Sequence, residues 1–304
     1  MKKKVVEYFQ TINLDLYEDE DIEKNTTSLK TFHYLEDNSI EFSILETKRS
    51  TKQLDSGVYN LTTRRTNSGD VPDLRVSTDK ELFNDDLGFY YEDKIKNIYN
   101  KFFDADIKKK VSLLGYNHKF GILLYGKQGT GKTSMFKKYF NDAVSEHKAI
   151  VFDIKYSDNV SVWWNFVQDI RRVQKNPIII FLDEFEEYID HHSDEGKFKK
   201  ILDGTDSIDN CMFFMTTNYI DKIPETIKDR PSRIKYKIEV QGIQDEKIIT
   251  QFLKISFEKV GLEIDFKNDV SKMKGWTIDE LKQWVLDKIM NIEPEQKSGK
   301  KLGF

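Results

Sequence analysis

The sequence predicts an α/β protein in three layers: a mainly parallel sheet between helices, with a small β-containing module before it and a helical unit after it. Three observations carry this. The runs at 120–125, 149–154, 178–182 and 212–216 are continuously apolar rather than alternating, as strands covered on both faces require. Helical patterns separate them, so successive strands can be joined by crossovers. After Gly242 strand patterns stop and only helical periodicity continues.

In chain order, residues 1–82 are polar and turn-rich, with short alternations (Ile40, Phe42, Ile44; Val58, Tyr59, Leu61) that suggest strands. We assign them to an N-terminal module, a candidate substrate- or partner-binding unit. From Glu92, Ile95, Ile98, Tyr99, Phe102 and Phe103 recur on one helical face and open an α/β domain assigned to 83–241. The strand at 120–125 leads through a Gly-rich turn into a helix marked by Met135, Phe136, Tyr139, Phe140 and Val144. A crossover helix is expected at 161–174, and a fifth strand at 234–240. In 242–304, Ile248, Ile249, Phe252 and Leu253, then Leu281, Trp284, Val285 and Ile289, describe amphipathic helices, and the tail from Glu293 is charged.

Composition excludes several classes. With 38% hydrophobic and 13% aromatic residues in 304, the chain is neither collagen-like nor wholly disordered. Lys+Arg 48 against Asp+Glu 52 gives a net charge of -4, so nucleic-acid binding would have to rest on a local basic patch. The single cysteine, Cys211, cannot form an internal disulfide or a thiolate cage and reads as a small buried apolar residue in a reducing compartment. The opening MKKKVVEYFQ starts like a signal peptide, but Glu7 and Gln10 interrupt its apolar run. No segment approaches the about 18 apolar residues of a membrane helix. The expectation is a cytoplasmic protein without a membrane partner.

The strongest motif is Gly126-Lys127-Gln128-Gly129-Thr130-Gly131-Lys132-Thr133, followed by Ser134, which satisfies G-x-x-x-x-G-K-[ST] between a buried strand and a helix. Its glycines let the backbone wrap a polyphosphate with N–H groups pointing inward, and the helix N-terminus faces the same charge. Lys132 is assigned to the β- and γ-phosphate oxygens and the Thr133 hydroxyl to Mg²⁺. Further along, Ile178-Ile179-Ile180-Phe181-Leu182 ends in Asp183-Glu184. Either acid alone would also suit a helix N-terminus. Beside a phosphate loop, Asp183 is the second Mg²⁺ residue and Glu184 the base that orients and deprotonates the attacking water.

These motifs, with those that follow them, resemble the AAA+ ATPases of the classical AAA branch over about residues 83–290. Phe213-Phe214-Met215-Thr216-Thr217-Asn218 resembles the sensor-1 strand, placing Asn218 at the γ-phosphate and the attacking water. Asp229-Arg230-Pro231-Ser232-Arg233 resembles the R-P-G-R stretch, which makes Arg230 and Arg233 arginine-finger candidates acting on a neighbouring subunit's nucleotide. The KKILDGTDS segment that begins at Lys199 resembles the family's L-L-x-x-L-D-G stretch. Asp85-Asp86-Leu87-Gly88 resembles the D-D-I-G stretch lining the adenine pocket, which adds Leu87 and Gly88 to the nucleotide residues. Gly275-Trp276-Thr277-Ile278-Asp279-Glu280-Leu281 resembles the start of the last lid helix.

Two departures stand out. Ile278 and Asp279 occupy the positions of the Gly-Ala pair, and no sensor-2 arginine is evident. Where the aromatic-apolar-Gly pore loop should follow Tyr156, the sequence reads Ser157-Asp158-Asn159-Val160-Ser161. Trp163 and Trp164 could face a pore, although adjacent aromatics at a helix start more often divide between core and interface. His191-His192 with Asp190 and Asp194 reads as a solvated tip rather than a metal site, and Lys108-Lys109-Lys110 and Lys197, Lys199, Lys200 as solvated helix faces.

The resemblance implies a P-loop NTPase fold with a C-terminal helical lid, binding ATP and Mg²⁺ in the cleft between them. It also implies a homohexameric ring, since arginine must arrive from a partner. The expected function is remodelling of a protein or protein complex. The alternative is a nucleic-acid-associated motor or a helicase or clamp loader, which the acidic balance disfavours.

Overall fold

The structure, a computed structural model, describes residues 29–34, 39–45, 53–67, 69–77, 92–155, 159–189 and 192–290. Leu87 and Gly88, the loop at 156–158 and the boundary expected at 82/83 lie outside the described residues.

The strands are β1 Leu29–Tyr34, β2 Ser39–Leu45, β3 Gly57–Thr66, β4 Gly69–Val76, β5 Lys119–Tyr125, β6 Ile150–Ile154, β7 Ile178–Leu182, β8 Cys211–Thr217 and β9 Tyr236–Glu239. The helices are α1 Glu92–Phe103, α2 Ala105–Leu113, α3 Lys132–His147, α4 Val160–Val173, α5 His192–Asp203, α6 Glu225–Lys228, α7 Glu246–Lys259 and α8 Ile278–Ile289. The described strands join one 9-stranded sheet in the order β1-β2-β4-β3-β6-β7-β8-β5-β9. From β6 to β9 every pairing is parallel.

The continuous apolar strands divide between two cores, as expected of a covered sheet. Leu123, Phe152, Ile180, Phe213 and their neighbours pack under α4 and α5 with Trp163, Phe166 and Phe198. Ile122, Val151, Phe181 and Phe214 pack on the other face with Phe102 of α1 and Phe136 and Phe140 of α3. Phe136 stacks on Phe214 with ring centroids 4.3 Å apart. Both Trp163 and Trp164 are buried, so neither faces a pore. Cys211 is fully buried among apolar neighbours, and burial pushes its thiol up to about 12.

The N-terminal strands continue the sheet beyond β6. β3 pairs in parallel with β6, from Gly57 opposite Ile150 to Leu61 opposite Ile154, and β4 returns antiparallel beside β3. Tyr59, Leu61 and Leu74 are buried in the same core as Phe152 and Trp163. Gln174, just past α4, completes the seam: its Oε1 accepts the Leu54 backbone N–H at 2.8 Å, and its Nε2 donates to the Leu54 carbonyl at 3.1 Å. The physical reason is the edge of β6. Its backbone groups would otherwise be left unpaired at the margin of a buried sheet, and β3 satisfies them.

The C-terminal helices keep a core of their own, built from Phe252, Leu253, Phe257, Leu281, Trp284 and Val285. α8 starts on a capping box: the Thr277 side chain accepts the Glu280 N–H at 3.2 Å, while Glu280 Oε2 accepts the Thr277 N–H at 2.8 Å. Within this unit an antiparallel Ile243–Trp276 bridge ties the segment after β9 to the turn before α8.

Candidate active site

The strand order explains the site. β8 lies between β5, which feeds the Gly-rich loop, and β7, which delivers the acids. In register, Tyr125 faces Thr217 and Leu182 faces Met215, so β5 and β8 end level while β7 stops two residues earlier, and the acids that follow it run on beside the end of β8. Groups at their carboxyl ends therefore meet in one cleft, the usual ligand position of such sheets.

Gly126 leaves β5 at φ 141°, and a Cβ there would lie 2.2 Å from the Val240 carbonyl oxygen. No other residue fits that turn. Lys127 and Gln128 are exposed at the loop tip. The Thr130 hydroxyl donates to the Lys127 carbonyl at 2.8 Å and closes the loop. Gly131 precedes α3, whose first turn holds Lys132, Thr133 and Ser134.

Lys132 is buried, and its ammonium donates to the carbonyls of Gly126 (2.8 Å) and Lys127 (2.9 Å) and to Asn218 Oδ1 (2.8 Å). Burial lowers its pKa; Asp183, Glu186 and Glu184 oppose that shift. The Thr133 hydroxyl donates to Asp183 Oδ1 at 2.8 Å. Two hard oxygen ligands so placed are the donor chemistry Mg²⁺ prefers, so the residues fit that ion.

Glu184 sits at φ 53°, an uncommon left-handed conformation for a non-glycine residue. Its backbone N–H donates to the Thr216 hydroxyl at 3.0 Å, and the same hydroxyl donates to Asp183 Oδ1 at 2.5 Å. Glu184 Oε1 accepts from Asn218 Nδ2 at 3.2 Å. Its pKa is raised, first by burial and then by Glu187, Asp183 and Glu186.

The expected residues Lys132, Thr133, Asp183, Glu184 and Asn218 are thus brought together. Two further ones belong with them. Thr216 carries no sequence signal beyond its place in the motif, because its role depends on β7–β8 register. Glu186 accepts the Asn218 backbone N–H at 3.1 Å; from sequence it is one of several acids after Asp183.

The two arginines differ. Arg230 is exposed. Arg233 is 8% exposed, its Nη1 donates to the Thr226 carbonyl, and its Nε lies 3.8 Å from Asp203 Oδ2. Neither bonds to the chain's own Lys132, Glu184 or Asn218 among the described residues. Arg233 lines a cavity of about 570 Å³ with Lys119, Asp203 and Lys235. The turn on its rim exposes Leu113 (78%), Leu114 (71%) and Tyr116 (70%).

The lid contact is made by α8. The Asp279 N–H donates to the Gly129 carbonyl at 3.1 Å, and Lys127 pairs with Glu280 at 3.6 Å. Asp194 belongs to α5, where it is buried and paired with Lys197 at 2.9 Å. No metal-binding cluster of His, Cys, Asp and Glu occurs among the described residues. No helix among them is long and apolar enough to cross a membrane.

Parallel-strand order, glycine loop and helical lid together define a P-loop nucleotide-binding fold. Residues 122–241 match the family model described as "ATPase family associated with various cellular activities (AAA)". The chain is 30% identical over 192 residues to 26S proteasome regulatory subunit 8 homolog B of Arabidopsis thaliana, covering 56% of this chain and 44% of that protein. It is 31% identical over 192 residues to 26S proteasome regulatory subunit 8 of Dictyostelium discoideum, covering 56% and 46%. With the 26S proteasome regulatory subunit 6B homolog of Saccharomyces cerevisiae it shares 29% identity over 161 residues, 47% and 36% of the two chains. The chain spans less than half the length of these relatives.

Proposed function

We propose that this chain hydrolyses ATP with Mg²⁺ and uses the reaction to remodel a protein or protein complex. The observation that carries the reading is the Lys132–Asn218–Glu184 chain of contacts, which sets a phosphate cation and a carboxylate base on either side of one amide. Lys132 and the loop's backbone N–H groups bind the polyphosphate, and Glu184 orients and takes the proton of the attacking water. Thr133 and Asp183 would hold Mg²⁺, which would supply charge neutralisation at the phosphate oxygens.

Protein clients are favoured because the relatives are proteasome regulatory subunits. The net charge of -4 supplies no general attraction for nucleic acid. Self-association into a ring, with six like copies as the expected state, is supported by exposed Arg230 and by the apolar turn Leu113, Leu114 and Tyr116 beside the Arg233 cavity. Leu87 and Gly88 remain the candidates for the adenine pocket, and the N-terminal residues for the client site.

Glu184→Gln tests the chemistry. ATP binding should persist while turnover collapses; unchanged turnover refutes the assignment. ATPase stimulation by unfolded proteins but not by DNA or RNA is expected, and a strong salt-sensitive DNA response would favour the nucleic-acid motor instead.

A further inference from the structure

We propose that Glu186 is a positioning residue for Asn218, holding its backbone so that the amide side chain stays between Lys132 and Glu184. The inference rests on the ATPase reading above and adds a residue to it.

β8 ends at Thr217, where the ladder with β5 runs out at Tyr125. Beyond that point the Asn218 and Tyr219 backbone N–H groups have no strand partner, yet both are held by side chains. Thr217 Oγ1 accepts from Tyr219 at 3.0 Å, and Glu186 Oε1 accepts from Asn218 at 3.1 Å. Glu186 reaches across from the 3₁₀ turn Phe185–Ile189, which directly follows Asp183-Glu184. One short segment therefore supplies both the base and the clamp on the residue that touches the base. A shift of Asn218 would move its contacts with Lys132 (2.8 Å) and Glu184 (3.2 Å) together.

The burial of Glu186 is hard to account for by stability alone. The residue is 8% exposed, and its second oxygen, Oε2, is buried with no hydrogen-bond partner. A carboxylate in that position forfeits solvation that a single neutral N–H bond does not restore. A buried polar atom left unsatisfied beside a reaction centre is explained by the geometry it maintains.

The test uses the full chain and steady-state ATP hydrolysis, with a fluorescent ATP analogue for binding and thermal melting for stability. Glu186→Met keeps the side chain's length without an acceptor, and Glu186→Asp keeps the charge but withdraws the oxygen. Each should lower kcat about tenfold or more, because small displacements of positioned groups are costly, while KM and analogue affinity stay within about threefold. Glu186→Gln keeps an acceptor at the same reach and should retain kcat within about threefold of the parent.

Unaltered kcat in Glu186→Met or Glu186→Asp would overturn the inference. A Gln variant as impaired as Met would also overturn it, by assigning the effect to charge. Equal losses of kcat, analogue binding and melting temperature would do the same, by assigning it to folding. If Glu186→Met fails to fold, Glu186→Asp and Glu186→Gln still decide between reach and charge. Glu184→Gln run in parallel separates the two levels: its failure to stop hydrolysis defeats the ATPase reading, whatever Glu186 does.

Discussion

The Asn218 side chain bonds Lys132 and Glu184 at once, accepting from Lys132 Nζ through Oδ1 at 2.8 Å and donating to Glu184 Oε1 through Nδ2 at 3.2 Å. The amide orientation is thereby fixed, because a flip would turn its NH₂ toward an ammonium and its oxygen toward a carboxylate. Asn218→Asp preserves shape and the Lys132 contact but sets a second carboxylate against Glu184. Hydrolysis should fall at least about tenfold with nucleotide binding largely retained. Parallel kinetic and binding titrations measure the two, and equal losses in both would contradict the bridging role.

Thr216 links the two acids that follow β7 through one hydroxyl. Thr216→Val removes that oxygen at nearly constant volume, orphaning the Glu184 N–H and loosening Asp183. The expected cost is about 1–3 kcal/mol in denaturant unfolding, together with weaker Mg²⁺ dependence of turnover. Thr216→Ser should recover most of both, since the hydroxyl returns.

For the arginines, exposure and bonding predict opposite phenotypes. Arg230→Ala should leave stability almost unchanged and abolish most ATPase activity. Mixing it with Glu184→Gln subunits should restore some turnover if Arg230 acts across an interface. Arg233→Ala should instead destabilise by about 1–3 kcal/mol, because it removes a buried donor from Thr226 and a charge near Asp203. Calorimetry on the two variants distinguishes these roles.

A pH effect is expected at His118, on the strand edge near that cavity. Its Nε2 donates to the Phe102 carbonyl at 2.7 Å, its ring stacks on Phe102, and its Nδ1 is buried without a partner. Burial lowers its pKa; Lys108 and Lys235 lower it further, while the Phe102 carbonyl and Asp209 raise it. The unfolded chain therefore binds the proton first. Stability is fully present above the unfolded value of about 6.5 and declines as pH falls below it. Melting temperatures from pH 8 to pH 5 should drop less steeply for His118→Phe than for the parent.

The local part of this architecture was legible in the sequence. Continuous apolar runs become β5 to β8, and the helix expected at 161–174 becomes α4 Val160–Val173. Short-range periodicity carries that information because it reports which faces are buried. The N-terminal strands were visible as alternation, but alternation is the same in an independent module and in a hairpin added to an existing sheet. Only the pairing of Gly57 with Ile150, far away in sequence, distinguishes the two.

The site divides along the same line. By itself the sequence determined the glycine loop, Lys132, Thr133 and the acids Asp183 and Glu184, since each motif is contiguous and its chemistry depends on residue type and local turn. The tertiary structure alone decided that Thr216 joins the two acids, that Glu186 reaches Asn218, and that Arg233 is buried while Arg230 is free to reach outward. Those relationships depend on strand register and on side-chain length measured across the cleft. Neither is encoded in any single stretch of chain, because register is selected by the whole packed sheet.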